Sequence, residues 1–544
     1  MYGLMQHHQL LLADVLEHAR RWHGYQEVVS LEADGSTHRQ TYADTAGRAC
    51  QLAHALTGLG VGMGDKVGVV AWNSHRHLEV WYGAAGVGAI VHDINPRLPA
   101  QQVADLIAEA GDTLVFVDSD FVPLVMEALQ VLASPPSLVL MVSEEGMPAE
   151  GIPGALCYES LLEGQPGVFA WERFDENTAN ALFYTSGTTG KPKGVLYSHR
   201  SNMLHAMAVS AKDAVNIGAT DVILPVVPMF HSNGWGMPYA ALMFGAKLVF
   251  GGRYTDPDTI VSLMRAEGVT VALGVPTIWT GILNHLKGQK PARLPLQRAV
   301  IAGSAAAASM IAELEEVYGV EVIHCWGMTE TSPIGTSSAP DAAQAPLAVS
   351  DPLKLKSKQG RPIFGVDIRI CDAGGEPLPH DGCTSGSLQV RGHWVVERYY
   401  GSHQDATDRD GWFETGDIAT IDEAGYMEIT DRAKDLIKSG GEWISSVELE
   451  NTASGHPAIS QAAAVGVAHP KWEERPLLLV VPRAGGCGDK AGILEYLAAR
   501  MPKWQLPEDV VFVEALPIAA TGKVQKNVLR ARYRDYFSVA GGAQ

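Results

Sequence analysis

Residues 181–194 read Ala181-Leu182-Phe183-Tyr184-Thr185-Ser186-Gly187-Thr188-Thr189-Gly190-Lys191-Pro192-Lys193-Gly194. A short apolar run suited to a buried strand gives way to ten residues with four hydroxyls, three glycines and two lysines. Glycine lets backbone N–H groups approach a phosphate closely, hydroxyls donate to its oxygens, and lysine supplies charge. The glycine and lysine spacing is not that of the G-x-x-x-x-G-K-[ST] nucleotide loop. Taken alone, the composition also fits an ordinary surface turn.

Around this loop the chain alternates strand-like and helical patterns. Residues 43–59 are expected to be a helix, 66–72 a strand, 77–86 a helix, 90–94 a strand, 101–110 a helix and 113–117 a strand. Strand, helix and strand recur at 297–302, 309–318 and 320–325. Such alternation predicts an α/β fold of parallel sheets covered by helices, with ligands beyond the C-terminal ends of strands. From about residue 382 the texture changes to short strand-like runs bounded by Gly and Asp turns, GSLQVRGHWVVERYY and GYMEITD, which predict a β-rich subdomain over 382–431. The remainder, 432–544, reads as a small α+β domain, with helices at 447–453 and 493–499 and strands at 462–467, 477–481 and 509–513. The large domain accordingly spans 1–431.

Bulk properties narrow the function. In 544 residues there are 61 acidic and 41 basic side chains, a net charge of −20. That excess argues against nucleic acid and against an anionic membrane surface as partners. Cys50, Cys157, Cys325, Cys371, Cys383 and Cys487 are scattered, with neither a CxxC pair nor zinc-ligand spacing. The N-terminus lacks the basic, apolar and small-residue order of a secretory signal. The stretch 222–246, the longest free of acidic, Lys and Arg residues, is broken by Pro225, Pro228 and Pro238 and makes a poor membrane helix. The expectation is a soluble cytoplasmic protein without membrane insertion.

Six further segments carry chemistry. His324-Cys325-Trp326-Gly327-Met328-Thr329-Glu330 closes the second strand–helix–strand unit with a hydroxyl beside a carboxylate, the hard-oxygen donors that Mg²⁺ prefers. Gly303-Ser304-Ala305-Ala306 follows a strand with residues small enough to admit a flat ring. Trp412-Phe413-Glu414-Thr415-Gly416-Asp417 ends on a carboxylate that can accept both protons of a sugar diol. Asp431-Arg432-Ala433-Lys434-Asp435-Leu436-Ile437-Lys438-Ser439-Gly440-Gly441-Glu442 is a charged stretch ending in a glycine pair. Thr521-Gly522-Lys523 sets a lysine in a turn. Pro228-Met229-Phe230-His231-Ser232-Asn233-Gly234-Trp235-Gly236-Met237-Pro238 mixes aromatic and flexible apolar side chains with helix breakers. Each has a plain structural reading as a turn, a solvated charge run or core packing.

Together the segments resemble the motifs of the adenylate-forming superfamily: acyl-CoA synthetases, luciferases and peptide-synthetase adenylation domains. The resemblance covers nearly the whole chain. It implies a mobile C-terminal domain and an ATP-dependent, AMP-forming acid–thiol ligase. By it, Thr185, Ser186, Gly187, Thr188, Thr189 and Lys193 hold the β- and γ-phosphates of ATP, and Thr329 contacts the α-phosphate. Thr188 and Glu330 bind Mg²⁺. Gly303, Ser304 and Ala305 flank adenine together with the segment His324, Cys325, Trp326, Gly327 and Met328, in which Trp326 stands where relatives carry Tyr. Asp417, beside Arg432, binds ribose. Lys434 is the hinge, a position where many relatives carry Asp. Lys438, Gly440, Gly441, Glu442 and Trp443 face coenzyme A. Lys523 bridges the acid's carboxylate and the α-phosphate, so the expected catalytic set is Lys523, Thr329, Glu330 and His231.

Within the superfamily the chain resembles the fatty-acid-CoA ligase branch, medium-chain and 3-methylmercaptopropionate-CoA ligases above all. That implies an acyl pocket lined by His231, Trp235, Gly236, Met237, Gly303 and Pro333, with Trp235 as a gate. It also implies a short or medium aliphatic or thioether acid, 3-methylmercaptopropionate being the best single choice, and a homodimer. Two rivals share the fold: an adenylating enzyme with a carrier protein or oxygen as acceptor, and a noncatalytic nucleotide sensor. A GxSxG elbow, an HExxH helix and a GxGxxG loop are all lacking, so hydrolase and dinucleotide-binding readings have no support.

Overall fold

The computed structural model describes residues 1, 3–148, 151–185, 192–287, 293–339, 352–439, 442–483, 489–519 and 523–537. Among them are four sheets, of seven, nine, four and five strands. The seven-stranded sheet is parallel from Leu156–Cys157 through Ser137–Leu140, Asp112–Val117, Lys66–Val70 and Ile90–Asp93 to Ala179–Thr185. Its last strand, Lys193–Ser198, turns back antiparallel, with Thr185 opposite Lys193. The glycine-rich loop is therefore the tip of a hairpin; a strand-to-helix turn, as in the other nucleotide loop, is not its context. Residues 186–191 of that tip lie outside the described residues.

Helix ends are set by local chemistry. Thr41 and Asp44 form a reciprocal capping box at Tyr42–Gly58, and Ser74 caps His75–Gly86. In His75–Gly86 every residue but Arg76 is buried, since this helix packs in the large core around Leu52, Leu78, Trp81 and Ala240. The expected strand and helix positions of the first lobe agree within a few residues. The helix expected at 309–318 divides into Ala308–Ala312 and a wider π turn, Glu313–Val317.

In the nine-stranded sheet, Val222–Pro225, Val271–Gly274, Arg298–Ile301 and Glu321–Gly327 run side by side and parallel. Three of the singled-out segments leave the C-terminal ends of these strands: 228–238, 303–306 and 328–330. That is where an open α/β sheet offers a crevice.

The four-stranded antiparallel sheet is Val366–Cys371, Ser385–Gly392, Phe413–Ile421 and Met427–Arg432. It opens at Val366, ahead of residue 382, because its first strand lies beyond the turn residues taken as the boundary. The stretch GSLQVRGHWVVERYY is also not one strand. It leaves the sheet after Gly392, and residues 394–400 return to the large lobe: Ser332 Oγ donates to the Trp394 carbonyl (2.8 Å) and Tyr400 N–H to that of Gly194 (2.8 Å).

The last sheet pairs Glu442–Ile444, Ile437–Ser439, Glu473–Pro482, Ile459–His469 and Asp509–Phe512 around its own core of Leu449, Leu478, Val480, Ile493 and Leu497. A tight turn joins it to the four-stranded sheet, with the N–H groups of Asp435 and Leu436 donating to the Arg432 carbonyl at 2.8 and 3.0 Å. Across that turn, the buried Asp431 accepts from the N–H (2.6 Å) and hydroxyl of Ser446, and Lys526 donates to the Ser446 hydroxyl (2.6 Å). Arg530 pairs with Asp435.

Candidate active site

A cleft of about 1790 Å³ opens between the large lobe and the C-terminal lobe. Thr185, Lys193, His231, Trp235, Gly303, Ser304, Ala305, Cys325, Trp326, Gly327, Met328, Thr329, Glu330, Pro333, Asp417, Arg432, Lys434 and Lys523 all line it. Residues spread over 339 positions of sequence thus share one wall-to-wall space.

Glu321–Gly327 delivers Thr329 and Glu330 through a very close backbone contact. A Cβ at position 327 would lie 1.9 Å from the Pro333 carbonyl oxygen, so only glycine fits. Tyr197 Oη donates to the Thr329 carbonyl (2.5 Å), and the Thr329 and Ser232 hydroxyls share a hydrogen bond at 3.1 Å. Glu330 is buried, which raises its carboxyl above the usual range, and Tyr399 Oη donates to its Oε1 at 2.8 Å, which opposes that rise.

Asp417 is 2% exposed. It sits opposite Arg432 in the register of adjacent strands, and the Arg432 Nε–Asp417 Oδ1 distance is 2.8 Å. The indole of Trp326 donates to Oδ2 at 2.9 Å. Trp326 therefore does more than offer an aromatic face: it fixes one carboxylate oxygen while Arg432 fixes the other. A phenol at that position would carry its donor at a different reach.

Lys523 arrives from the C-terminal lobe in a turn closed by its own carbonyl accepting from Ala519 N–H at 2.7 Å. A Cβ at Gly303 would lie 3.9 Å from Lys523 Cε, so the lysine stem crosses the Gly303 turn. Burial, then Arg432 and Lys434, bring its ammonium down to about 8 against the pull of Asp417 and Glu330.

The segment 228–238 is pinned from beneath by Asn73, which donates to the carbonyls of Pro225 and Val227 (3.0 and 2.9 Å) and accepts from Met229 N–H (2.6 Å). Ser232, Asn233 and Trp235 hold positive φ of 46°, 59° and 58°. Each such residue stores roughly 1 kcal/mol, and strain of this kind clusters where a side chain must be aimed. His231 is brought down to about 4 by burial, Lys523 and Arg97, and is neutral near pH 7.

Several expected residues lie elsewhere. Gly236 packs against His205, whose ring a Cβ there would strike at 2.6 Å, and Met237 is fully buried in the large core. Neither lines the cleft; both support it. His324 is buried behind it, its Nδ1 against the Ser357 carbonyl (3.0 Å) and its Nε2 accepting from Ala306 N–H (3.3 Å). Lys438, Glu442 and Trp443 stand outside the cleft on their own hairpin, Lys438 paired with Glu473 at 3.1 Å and Trp443 55% exposed. Ser186, Gly187, Thr188, Thr189, Gly440 and Gly441 lie outside the described residues. Tyr197 and Tyr399 were not anticipated; Ser232 and Thr415, whose hydroxyl accepts from Asp417 N–H at 3.1 Å, lay inside singled-out segments without a role of their own.

A separate cluster of Glu32, His38 and His75 brings one carboxylate and two imidazoles together. Its two rings stack nearly parallel, 3.9 Å apart and at 16°, and Arg76 already pairs with Glu32 at 3.0 Å. A shared cation must lie in the plane of each ring, which face-to-face stacking does not offer.

The model of the AMP-binding enzyme family matches residues 15–400, and that of the AMP-binding enzyme C-terminal domain matches 448–523. The chain is 48% identical over 535 residues to a 3-methylmercaptopropionyl-CoA ligase of Ruegeria lacuscaerulensis, covering 98% of this chain and 99% of that one. It is 46% identical to a medium-chain-fatty-acid–CoA ligase of Ectopseudomonas oleovorans, with 98% of each covered. Among solved structures, ATP-bound MatB from Rhodopseudomonas palustris superposes with a TM-score of 0.82 at 26% identity, covering 97% of this chain and 100% of that one.

Proposed function

The chain belongs to the AMP-binding enzyme family and is an AMP-forming acyl-CoA ligase, and from that premise we propose that its acid is 3-methylmercaptopropionate or a close short- or medium-chain relative. The observation that carries the mechanism is the convergence of Lys523, Asp417, Glu330 and the Gly303 turn on one cleft. Carboxylate attack on the α-phosphorus of ATP expels pyrophosphate and gives the acyl-adenylate; the coenzyme A thiol then attacks its carbonyl and AMP leaves. The first step needs positioning and charge neutralisation. Asp417 accepts from the ribose hydroxyls, Lys193 and the hairpin tip hold the outer phosphates, and Lys523 bridges the two reacting groups. His231, neutral, orients the carboxylate by hydrogen bonding without adding charge. The donor set of Glu330 with the Thr329 hydroxyl fits Mg²⁺, which would neutralise phosphate charge when bound. Thr188 is a further candidate ligand.

With Lys523 in the cleft and Trp443 outside it, the lobes suit the first half-reaction. Rotation about Lys434 is the proposed route by which the face of Lys438, Glu442 and Trp443 comes to coenzyme A. The family likeness also supports a cytoplasmic homodimer; no helix among the described residues is long and apolar enough to cross a membrane.

Phe230, Trp235, Pro333 and Ile334 give the cleft an apolar wall beside His231. Thioether sulfur packs well on aromatic rings, and each buried methylene adds about 0.8 kcal/mol, roughly fourfold. In a panel of acids, thioester formation is expected to give 3-methylmercaptopropionate a kcat/KM about tenfold or more above propionate. A preference for benzoate or acetate would sink the substrate assignment.

The lysine sets a pH dependence. Kcat/KM for ATP reports the free enzyme, where Lys523 loses its proton at about 8. It is expected to hold level at about pH 7 and to decline above pH 8, whereas the limb of kcat moves to higher pH because bound phosphates favour the cation. A kcat/KM profile flat to about pH 10 would contradict a required Lys523 cation.

A further inference from the structure

Residues 394–400 connect two parts of the cleft that come from distant places in the chain. Val396 N–H donates to the Glu330 carbonyl at 2.8 Å, fixing the backbone that carries the carboxylate. Three residues on, Tyr399 Oη donates to Glu330 Oε1 at 2.8 Å. The other side of the same tyrosine serves the phosphate hairpin: Lys193 Nζ stands over its ring, 4.6 Å from the centroid. Tyr400 N–H then donates to the Gly194 carbonyl at 2.8 Å, clamping the strand that leaves the hairpin tip. The ring is itself held edge-on by Phe413 at 6.4 Å.

We propose that Tyr399 is a positioning residue that aims the Glu330 carboxylate at the divalent cation of Mg·ATP and ties it to Lys193 at the exit of the phosphate hairpin. This rests on the reading of Glu330 as the carboxylate that would hold Mg²⁺. A carboxylate gripped at one oxygen by a phenol loses its freedom to rotate and presents the second oxygen in a fixed direction. Partners of this kind, one bond removed from the metal, are typically worth 10–100-fold in metal affinity. The ring contributes separately, because a cation over an aromatic face is attracted by its quadrupole and needs no hydroxyl.

The two functions separate by substitution. Tyr399→Phe keeps the ring over Lys193 and against Phe413 and removes only the hydroxyl. Tyr399→Leu removes both. The measurement is calorimetric binding of α,β-methylene-ATP to the full chain without acid, once with Mg²⁺ and once with EDTA. In the Phe variant the affinity gained on adding Mg²⁺ is expected to shrink by about tenfold, with metal-free binding unchanged. In the Leu variant metal-free binding weakens as well. Glu330→Gln serves as the reference. If it keeps the full Mg²⁺-linked gain, the reading of Glu330 fails. If Glu330→Gln loses the gain and Tyr399→Phe keeps it, only the role of Tyr399 fails. An equal loss of metal-free and metal-linked binding in Tyr399→Phe would mark a merely structural tyrosine and overturn the proposal.

Discussion

Lys523→Ala is expected to slow acid-dependent ATP–pyrophosphate exchange by about 10²–10³-fold, while thioester formation from preformed acyl-adenylate stays within about twofold. The difference follows from geometry. In the cleft the lysine stem crosses the Gly303 turn, with Asp417 and Glu330 pulling on its charge. A cation fixed there meets negative charge as it builds between carboxylate and α-phosphorus, and a group already in position costs no reorganisation at that moment. The second half-reaction develops charge at the acyl carbonyl and, on the domain rotation proposed above, would use a face of the C-terminal lobe that stands outside this cleft. The substitution leaves the turn intact, because the closing bond is made by the Lys523 carbonyl and not its side chain. An equal fall in both half-reactions would mean that the lysine supports the lobe and not the chemistry.

Such a lysine was legible in the sequence only through its motif; a lysine in a Thr-Gly turn is ordinarily a surface residue. The α/β order of the first lobe was legible for a physical reason. Parallel strands buried on both faces read as short apolar runs, as residues 67–70 and 114–117 do, and the helices between them carry a period of 3.6. Boundaries in the antiparallel sheet were harder. Val366–Cys371 alternates buried and less buried residues, yet turn-rich residues separate it from its partner Ser385–Gly392. Long-range partners left no trace in the chain at all. Nothing near Trp326 announces that its indole reaches Asp417, 91 residues away, and nothing near Glu330 announces Tyr399, 69 residues away. Local patterns encode elements; which polar atoms meet across elements is decided by the packed sheet ends.

Asp417→Ala is expected to have the opposite kinetic signature to Lys523→Ala: KM for ATP up by about 10²-fold with kcat little changed. Ribose sits away from the reacting bonds, so its contacts are equally good in ground and transition states, and losing them removes uniform binding. The size follows from two hydrogen bonds to a charged acceptor at about 1.5 kcal/mol each or somewhat more, with tenfold in affinity for every ~1.4 kcal/mol. The variant also strands Trp326 Nε1 and Arg432, which hold the two oxygens now. Breaking a buried pair costs about 3–5 kcal/mol of stability, and here less, because the Arg432 side chain is 34% exposed and solvent screens it. Weaker binding could then arise from a loosened strand and not from a lost contact. Deoxy nucleotides separate the two causes. The unaltered enzyme should bind 2′-deoxy- and 3′-deoxy-ATP more weakly than ATP, and in Asp417→Ala that penalty should vanish, since a missing hydroxyl cannot lose a partner already gone. A penalty that persists undiminished in the variant would place the ribose on some other group and leave Asp417 as a cross-strand brace for Arg432.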